Sequence, residues 1–355
     1  MAILILENDY DDLKKSRFPL GNFFQSKGYK VHYACPFPEL KYINNIPMSR
    51  NSLAPYKLLK GFLALIDLEA NLSIKKTLSY RFIPNVLNYL ASFRNRKIKR
   101  VAVITGLGYA FIQTHNSYKS RIQRLLIKLF YKIASKRVQI VAQNHDDLID
   151  LGVMNGKIIL GSGVVSVRKT IAKELHTDSI RLLFVSRLLR SKGILTSIDL
   201  FEKLKIQKPQ TTLTIAGKID PENPDSLSEE ELNKFKNIKG IHYLGFVNDI
   251  DSIYADCNVL LFPSIYREGV PRVILESLKH GLTIVTKDMP GCKETIKNNG
   301  FLILEKNLNF DVVEYLASLN KHKLLENSKR SMELFNKIFS DSVIYPQYLT
   351  LLTTN

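Results

Sequence analysis

The sequence predicts an α/β protein made of two Rossmann-like, doubly wound parallel-sheet domains. Short apolar runs that fit buried strands alternate with helical segments, and this alternation is typical of parallel sheets. The runs form two series, separated by the polar segment from Val167 to Ser179. A chain of 355 residues, 45% of them hydrophobic, is long enough for two domains with separate cores. We therefore expect a first domain over residues 1–166 and a second over residues 180–339.

The first domain is predicted from five apolar runs. Each run is short enough for a strand buried on both faces of a sheet, and helical segments lie between the runs. Together the strands should build one parallel sheet that is covered by helices on both sides. The predicted strands are Ala2 to Leu6, Lys30 to Cys35, Arg100 to Ile104, Val138 to Ala142 and Lys157 to Leu160.

A second series of the same kind predicts the second domain. Ligands of such sheets bind outside the carboxyl ends of the strands, so the residues that follow each strand are candidates for a site. The polar insert from Asp220 to Glu231 is expected to be a surface loop with solvated acids. The predicted strands are Ile180 to Ser186, Thr211 to Ala216, Gly240 to Tyr243, Val259 to Phe262 and Leu282 to Thr286.

The formal charge of +18 is unevenly distributed, because the stretch from Ala70 to His145 contains no Asp or Glu. Such a block favours an anionic partner. Within it, the segment from Ser117 to Val138 has apolar residues at helical spacing between many cations. We expect this apolar stripe to pack on the domain core, with the cations left to hold the protein at an anionic membrane surface. The stripe comprises Ile122, Leu125, Leu126, Leu129 and Ile133.

Nucleic acid is the alternative partner for the same positive charge. The sequence has no zinc-finger spacing, no aromatic RNP-like segment and no GXXG loop with which to read it. We therefore expect no nucleic-acid binding.

Cysteine usage and hydropathy predict the compartment. Cys35, Cys257 and Cys292 are odd in number and widely spaced, which favours a reduced cytosolic protein with free thiols. No apolar stretch approaches the length of about 20 residues that a membrane span requires, and the run from Ala2 to Leu6 lacks a basic leader. We expect a cytoplasmic protein that is peripheral on the inner face of the cell membrane.

Two triplets, Asp9-Tyr10-Asp11 and Asp249-Ile250-Asp251, have the acid spacing of some metal sites. Neither triplet has another metal ligand nearby in the sequence, and Asp249 suits a helix cap. We expect no metal and no cofactor.

Two carboxylates flank the start of a short predicted helix, which runs from about Pro271 to His280. Pro271 suits the first helical position and Gly281 suits the residue that ends the helix. A helix N-terminus attracts phosphate oxygens, and the carboxylates of Glu268 and Glu276 can accept hydrogen bonds from sugar hydroxyls. This combination fits a nucleotide sugar, although acids near a helix start are also common as solvated residues.

Two cations follow the first predicted strand of the second domain. Arg187 lies just beyond that strand, and Lys192 precedes Gly193 and a new helix. Fixed cations in a water-poor site stabilise the charge that grows on a diphosphate as its bond to a sugar breaks. We expect Arg187 and Lys192 to hold such a leaving group.

These segments together resemble one enzyme family. PSIYREGVPRVILESLKHGLTIVTKDMPGCKE, with its Glu, seven residues, Glu spacing, resembles the donor-binding signature of the family four retaining glycosyltransferases. FVSRLLRSKGI resembles the RLxxxKG segment of that family, and TGLGYAF resembles a segment of relatives that build bacterial surface polysaccharides. The resemblance implies the GT-B fold, in which two Rossmann-like domains face each other across a cleft. It also implies that the segment 340–355 packs back on the first domain.

The resemblance further implies a retaining, metal-independent transfer of a sugar. The expected donor is a UDP-sugar and the expected acceptor is a polyprenyl-diphosphate-linked saccharide. The acceptor hydroxyl would attack from the face that the diphosphate leaves, and the diphosphate would help to remove its proton. Glu268 would lie near the sugar and Glu276 at the ribose. The expected donor-site residues are Arg187, Lys192, Glu268, Gly269, Val270, Pro271 and Glu276.

The remaining expected site residues come from the first domain. Gly163, which is expected to contact the donor, belongs to a GSGV segment in which Val165 replaces the Asp that relatives carry. Gly106, Gly108 and Tyr109 are expected on the acceptor side. Lys75, in an SIKK segment that resembles the TIKP of relatives, is expected to contact the acceptor phosphate. The alternative enzyme is a GT-B sugar-nucleotide epimerase, for which we find no acid and base pair.

Overall fold

The computed structural model describes residues 1–36, 43–48, 54–112, 117–166, 179–306 and 309–354. The chain forms two compact units. One is Met1–Val165 together with Ser340–Asn355, and the other is Ser166–Phe339. Most of the polar segment expected between the two domains, residues 167–178, lies outside the described residues.

In the described part of the first unit, seven parallel strands form one sheet in the order β3-β2-β1-β4-β5-β6-β7. The five predicted strands are present, with small differences at their ends. The strands are β1 Ala2–Leu6, β2 Lys30–Cys35, β3 Ile43–Asn45, β4 Ile74–Tyr80, β5 Lys99–Ile104, β6 Gln139–Ala142 and β7 Lys157–Ile158.

The central strand β4 was not predicted, because its residues IKKTLSY are too polar to be recognised as a buried run. The buried hydroxyls of Thr77 and Ser79 are satisfied by side chains of the following helix, Phe82–Arg94. Thr77 Oγ1 donates to Asn88 at 2.8 Å, and Ser79 Oγ donates to Asn85 at 2.8 Å. Buried polar groups with such partners are compatible with a central strand.

Helices cover both faces of the first sheet. On β1, Ile3 and Ile5 belong to one core cluster and Leu4 and Leu6 to another, because successive side chains of a strand point to opposite faces. The helices are α1 Tyr10–Asp12, α2 Phe18–Ser26, α3 Pro55–Asn71, α4 Phe82–Arg94, α5 Tyr118–Ala134, α6 His145–Leu151 and, at the end of the chain, α13 Asp341–Thr353. The residues of α13 in the Ile3 cluster are Ile344, Tyr345, Tyr348 and Leu352.

In the described part of the second unit, six parallel strands form a sheet in the order β10-β9-β8-β11-β12-β13. All five predicted strands are present, and β13 is additional. The strands are β8 Arg181–Val185, β9 Thr212–Ala216, β10 Ile241–Gly245, β11 Val259–Phe262, β12 Thr283–Lys287 and β13 Gly300–Ile303. The helices are α7 Ile194–Gln207, α8 Glu229–Lys236, α9 Asp251–Asp256, α10 Arg272–Lys279, α11 Asn309–Ala317 and α12 Lys321–Leu334.

Each sheet has a point at which the strand order reverses. In the first unit β1 lies between β2 and β4, and in the second unit β8 lies between β9 and β11. Ligands of doubly wound sheets bind in the crevice outside the carboxyl ends of the strands at such a point. The predicted α/β class with two Rossmann-like units is confirmed, and the topology directs attention to the residues after β8 and β11.

Helix α5 does not pack as predicted. The stripe expected to lie on the core, which includes Leu125 and Leu129, is exposed to solvent. The opposite side of the helix packs inward, where Tyr131 and Ala134 are buried and Phe130 packs edge-on against Phe82 with ring centroids 5.3 Å apart. Both sides of the helix have helical spacing, so periodicity by itself does not show which of them faces the core.

Candidate functional site

The segments that follow β8 and β11 meet at the carboxyl edge of the second sheet. After β8, the chain reaches Arg187 and a short 3-10 turn, Arg190–Lys192, and then Gly193. Gly193 has a φ of +86°, and a Cβ atom built there would lie 2.5 Å from the carbonyl oxygen of Pro263. Only glycine allows this approach. The segment carrying Lys192 is therefore packed directly against the segment that leads from β11 to Glu268.

Lys192 and Glu268 form an ion pair at this point, in which Lys192 Nζ donates to Glu268 Oε1. The ammonium nitrogen of Lys192 also lies 4.5 Å from the ring centroid of Tyr266. Both side chains are largely withdrawn from water, with exposed fractions of 9% and 22%. The structure thus brings together two of the residues singled out from the sequence, and it adds an aromatic face that the sequence analysis did not anticipate.

Arg187 is bound by a different carboxylate. Its Nη1 donates to Oδ2 of Asp220 at 2.6 Å. Asp220 lies in the loop after β9, whose acids were expected to be solvated. That expectation is wrong for Asp220 and for Asp225, which accepts a hydrogen bond from the backbone nitrogen of Ser191 at 2.9 Å, whereas Glu222 and Glu229 are exposed as expected. Glu231, on α8, accepts from Arg190. The loop is held by the cations and donors that follow β8.

Glu276 lies on α10 and is held by two donors. Its Oε2 accepts from the hydroxyl of Tyr254 at 3.1 Å, and its Oε1 accepts from Nε of Arg272 at 2.6 Å. Burial raises the pKa of Tyr254 well above its usual value of 10, and the nearby Glu276 raises it further, so the hydroxyl remains a donor. The Tyr254 ring stacks on that of His280 with centroids 5.4 Å apart. Glu276 is therefore fixed in position.

The start of α10 differs slightly from the prediction. Pro271 is the capping residue, with an extended ψ of 124°, and the helix begins at Arg272. Val270 is buried, and Gly269 lies under the loop that follows β12. A Cβ built on Gly291 of that loop would lie 1.3 Å from the carbonyl oxygen of Gly269. Two loops from neighbouring strands therefore cross in backbone contact beside Glu268.

Several residues of this site were missed by the sequence analysis. Asp220 and Tyr254 lie on other elements, so no local motif connects them with Glu268 or Glu276. Tyr266 and Gly291 belong to the segment that carries the family resemblance, but were given no role. Arg272 lies four residues before Glu276 on one helix, which is a recognisable ion-pair signal. The residues missed are Asp220, Tyr254, Tyr266, Arg272 and Gly291.

In the first unit, the glycines expected on the acceptor side lie at the carboxyl edge of the sheet. Gly106 and Gly108 follow β5 and have φ values of +117° and +71°. Tyr109 begins a short 3-10 turn, Tyr109–Phe111, and its side chain lies outside what the structure describes. These left-handed conformations favour glycine and shape the loop.

The structure corrects the expectation for Lys75. This residue is exposed near the beginning of β4, and the parallel strands β4 and β5 run in the same direction. Lys75 therefore lies toward the amino edge of the sheet, whereas Gly106 follows the carboxyl end of β5. The strand that contains the SIKK segment was not predicted, so its direction was not considered. Lys75 does not lie beside the loop of Gly106 and Gly108.

Gly163 has a packing role within the first unit. Its φ is +72°, and a Cβ built there would lie 2.6 Å from the ring of Tyr345 on α13. Its neighbour Val164 forms a bridge to Ser340, just before that helix. The requirement for glycine at this position is therefore explained by contact with α13.

A buried charged cluster lies where the strand order of the first sheet reverses. Glu7, directly after β1, is fully buried and lies 3.2 Å from Nε of both Arg17 and Arg81. Burial raises the pKa of Glu7 to about 7 despite these two cations. Arg81, directly after β4, has a φ of +70°, which is a strained conformation for a residue with a side chain. No local motif in the sequence connects Glu7 with Arg81, because the two residues follow different strands.

The first acid of each triplet accepts a backbone hydrogen bond near the start of a helix. Asp9 caps α1 and accepts from the backbone nitrogen of Asp12 at 3.2 Å. Asp249 accepts from that of Asp251 at 3.2 Å, but the capping residue of α9 is Ile250 and not the expected Asp249. Within the residues that the structure describes, no three His, Cys, Asp or Glu side chains are grouped to hold a metal ion. The three cysteines are buried and free.

Comparison with known proteins gives the following relatives. The family model described as glycosyl transferases group 1 matches residues 167–334, nearly all of the second unit. An N,N'-diacetylbacillosaminyl-diphospho-undecaprenol alpha-1,3-N-acetylgalactosaminyltransferase of Campylobacter jejuni is 28% identical over 319 residues, covering 84% of this chain and 80% of the relative. The capsular polysaccharide biosynthesis glycosyltransferase CapM of Staphylococcus aureus is 23% identical over 351 residues, covering 90% of each protein.

The fold has close counterparts among solved structures. Anabaena HepE in complex with UDP and glucose aligns over 100% of both chains, with a TM-score of 0.73 and 17% sequence identity. At this identity the likeness concerns the fold, which is that of the GT-B glycosyltransferases. The resemblance inferred from the sequence motifs is confirmed.

Proposed function

Since the second unit belongs to the glycosyl transferases group 1 family and the chain is a glycosyltransferase of the GT-B fold, we propose that this protein transfers a sugar from a UDP-sugar to a lipid-diphosphate-linked saccharide. The anomeric configuration of the sugar is retained and no metal is needed. The product belongs to a surface polysaccharide or related glycan, as the names of the Campylobacter and Staphylococcus relatives suggest.

The observation that carries this proposal is the Lys192 and Glu268 ion pair at the strand-order reversal of the second sheet. An anionic leaving group that enters this crevice competes with Glu268 for the ammonium group of Lys192. As negative charge grows on the diphosphate, Lys192 and Arg187 stabilise it, and Glu268 is released toward the sugar, where positive charge develops. Lys192 and Glu268 thus stabilise the opposite charges that develop on the two sides of the bond that breaks.

The donor is assigned from the arrangement around α10. Glu276, held by Tyr254 and Arg272, presents a fixed carboxylate that can accept hydrogen bonds from ribose hydroxyls. The backbone around Gly269 and Val270 completes the sugar site, and the amino end of α10, which follows Pro271, attracts the phosphate oxygens. UDP is the preferred nucleotide because a structural neighbour, HepE, is described in complex with UDP and glucose.

The acceptor is assigned from the Campylobacter relative, which is named for a diphospho-undecaprenol substrate. We place this acceptor at the loop of Gly106 and Gly108, with the enzyme peripheral on the inner face of the membrane. No helix in the described part of the chain has the length and apolar character needed to cross a bilayer. The stretch from Ala70 to His145, which lacks acids, supplies positive charge for the anionic surface.

The test is a transfer assay with labelled UDP-sugars and polyprenyl-diphosphate-linked saccharides, followed by analysis of the anomeric configuration by NMR. We expect acceptor-dependent transfer with retention, unchanged by a metal chelator. Conversion of the UDP-sugar to an epimer without any acceptor would contradict the proposal and support the epimerase alternative. An inverted product, or loss of activity with chelator, would contradict the retaining or the metal-independent part.

A further inference from the structure

We propose that the exposed apolar face of α5 inserts into the membrane interface beside the acceptor loop. This inference rests on the proposed function for the identity of the acceptor, but its structural basis is independent of the donor site. It changes the mode of membrane contact from attraction of surface charges to burial of a helix face in lipid.

The first observation is the exposure of large apolar side chains along one face of the helix. Leu125, Leu126 and Leu129 have exposed fractions of 65%, 58% and 51%. They are flanked along the same face by Tyr118, Ile122 and Ile133, which are also exposed. A contiguous apolar face of this kind on a soluble domain marks a contact surface, whereas single exposed leucines do not.

The second observation is that the other face of α5 already has its partner. Ile127, Phe130, Tyr131 and Ala134 pack into the core cluster that includes Leu107 and Phe111. The helix is therefore held on the domain, and its outer face is left for an external partner. Because Leu107 and Phe111 belong to the acceptor loop and the turn after it, α5 and that loop form one packed body.

The charges beside the apolar face identify the partner. The helix carries no Asp or Glu, and Lys119, Lys128 and Lys132 are exposed on it. A helix that buries an apolar face among lysines is typical of the interface of an anionic bilayer. A second copy of the chain is a poor occupant, because the cations of two α5 helices would face each other and the whole chain has a formal charge of +18.

Insertion of α5 would place the acceptor loop at the depth of the lipid headgroups. The 17 residues of α5 span about 25 Å, which allows the helix to lie in the plane of the interface. Its amino end follows the Tyr109–Phe111 turn, so the loop of Gly106 and Gly108 would lie beside the headgroups. The diphosphate of a lipid-linked saccharide lies at that depth, while its polyprenyl chain remains in the bilayer.

The experiment uses the absence of tryptophan from the chain. In Leu126→Trp, the single indole reports its own environment. We expect its emission to shift to the blue on vesicles that contain phosphatidylglycerol, and to be quenched by brominated acyl chains. The matched control is Leu63→Trp on α3, an exposed position of the same unit at 52%, for which neither change is expected. Absence of acyl-chain quenching in Leu126→Trp would overturn the proposal.

A sedimentation assay separates insertion from charge. The double variant Leu125→Ser and Leu129→Ser should bind anionic vesicles roughly tenfold or more weakly at any salt concentration. The double variant Lys128→Gln and Lys132→Gln should lose only the part of binding that disappears in about 1 M salt, where charges are screened within roughly 3 Å. The control Leu59→Ser and Leu63→Ser on α3 should bind as the unchanged protein does. If the leucine double variants of α5 and α3 bind anionic vesicles equally well, insertion of α5 is refuted.

The same variants distinguish this inference from the proposed transfer reaction. With a short-chain, water-soluble acceptor, Leu125→Ser and Leu129→Ser together should leave turnover unchanged, whereas transfer to acceptor in vesicles should fall. If no variant transfers sugar to either acceptor, the proposed function fails and the vesicle results still decide the insertion. If the leucine variant instead converts a dimer to a monomer and vesicle binding is unaffected, the face is a self-association surface and the inference is wrong.

Discussion

Lys192 Nζ donates to Glu268 Oε1, although the two residues are 76 positions apart in the sequence. The pair joins the segment after β8 to the segment after β11, on the two sides of the point where the strand order reverses. The cation expected to hold the leaving group is therefore bound to the carboxylate expected to face the sugar. Under the proposed function, donor binding exchanges this ion pair for contacts with the diphosphate and the sugar.

Glu268→Gln should abolish most of the transfer while the fold survives. The amide keeps the shape of the side chain but removes the charge that stabilises the transition state, so we expect kcat to fall roughly 100- to 1000-fold. Steady-state kinetics at saturating donor and thermal unfolding measure the two effects. Glu305→Gln, an exposed position of the same unit, controls for the lost charge. A variant Glu268→Gln with kcat within tenfold of the unchanged enzyme would exclude a catalytic role.

Asp220→Asn should improve donor binding. Asp220 neutralises Arg187 in a partly exposed ion pair with an N···O distance of 2.6 Å. The interaction energy of ion pairs with this exposure is about 0.2–1 kcal/mol. Donor binding no longer has to break the pair in the variant, so the KM for donor should fall by no more than about fivefold, with kcat unchanged. Glu231→Gln, which breaks the comparable pair with Arg190, should leave KM unaltered. A rise in KM for Asp220→Asn would mean that Asp220 orients Arg187 for the donor.

Tyr254→Phe should weaken donor binding without slowing the chemical step. The change removes one of the two donors that hold Glu276, and a hydrogen bond to a charged group contributes about 1.5–3 kcal/mol. Because Arg272 remains bound to Glu276, we expect the lower part of that range, a rise in donor KM of roughly tenfold. Tyr315→Phe removes the same kind of hydroxyl elsewhere in the unit and should have no kinetic effect. A fall in kcat at constant KM would contradict the assignment of Glu276 to the ribose.

Gly291→Ala should disrupt the second unit. The added Cβ has no space beside the carbonyl oxygen of Gly269, 1.3 Å away, and the φ of +84° is unfavourable for alanine. We expect a loss of roughly 3 kcal/mol or more in the free energy of unfolding, measured by urea denaturation. Gly245→Ala is the matched control, since its φ is +66° but the nearest atom is 4.0 Å from the built Cβ. It should cost about 1–2 kcal/mol. Equal losses would show that the loops are free to separate.

The stability of the first unit should fall as the pH rises through the range set by Glu7. Burial raises the pKa of Glu7 to about 7 from an ordinary value of 4.5, so the folded state holds its proton more tightly than the unfolded state does. The stabilisation that protonated Glu7 contributes to the folded state is fully present below the unfolded pKa of 4.5 and is lost as the pH rises through about 7. Glu7→Gln should flatten the pH dependence of the free energy of unfolding between those values.

Glu230→Gln controls for the Glu7 measurement, because it removes the same charge from an exposed position. It should keep the pH dependence of the unchanged protein. A Glu7→Gln profile parallel to that of Glu230→Gln would show that Arg17 and Arg81 keep the Glu7 carboxylate ionised across this range. Unfolding must be followed with a probe of the first unit, since the two units need not unfold together.

The fold class and much of the strand pattern were predictable from the sequence. Apolar runs such as Val259–Phe262 are local signals, because a strand buried on both faces needs apolar residues at consecutive positions. The spacing of Glu268 and Glu276 around a short helix is also local, and it indicates the segment that carries the candidate site. Strand β4 was missed because its polar residues are satisfied by α4, which is information held by another element.

By itself, the sequence determined the two parallel sheets, the family resemblance and the residues around α10, since each depends on neighbours within a few positions. Only the tertiary structure decided that Lys192 is held by Glu268, that Arg187 is bound by an Asp220 expected to be solvated, and that Lys75 lies at the amino edge of its sheet. It also decided which face of α5 remains exposed. The physical reason is common to all four cases. A helical or strand period fixes which residues share a face, but strand order and packing determine what that face meets.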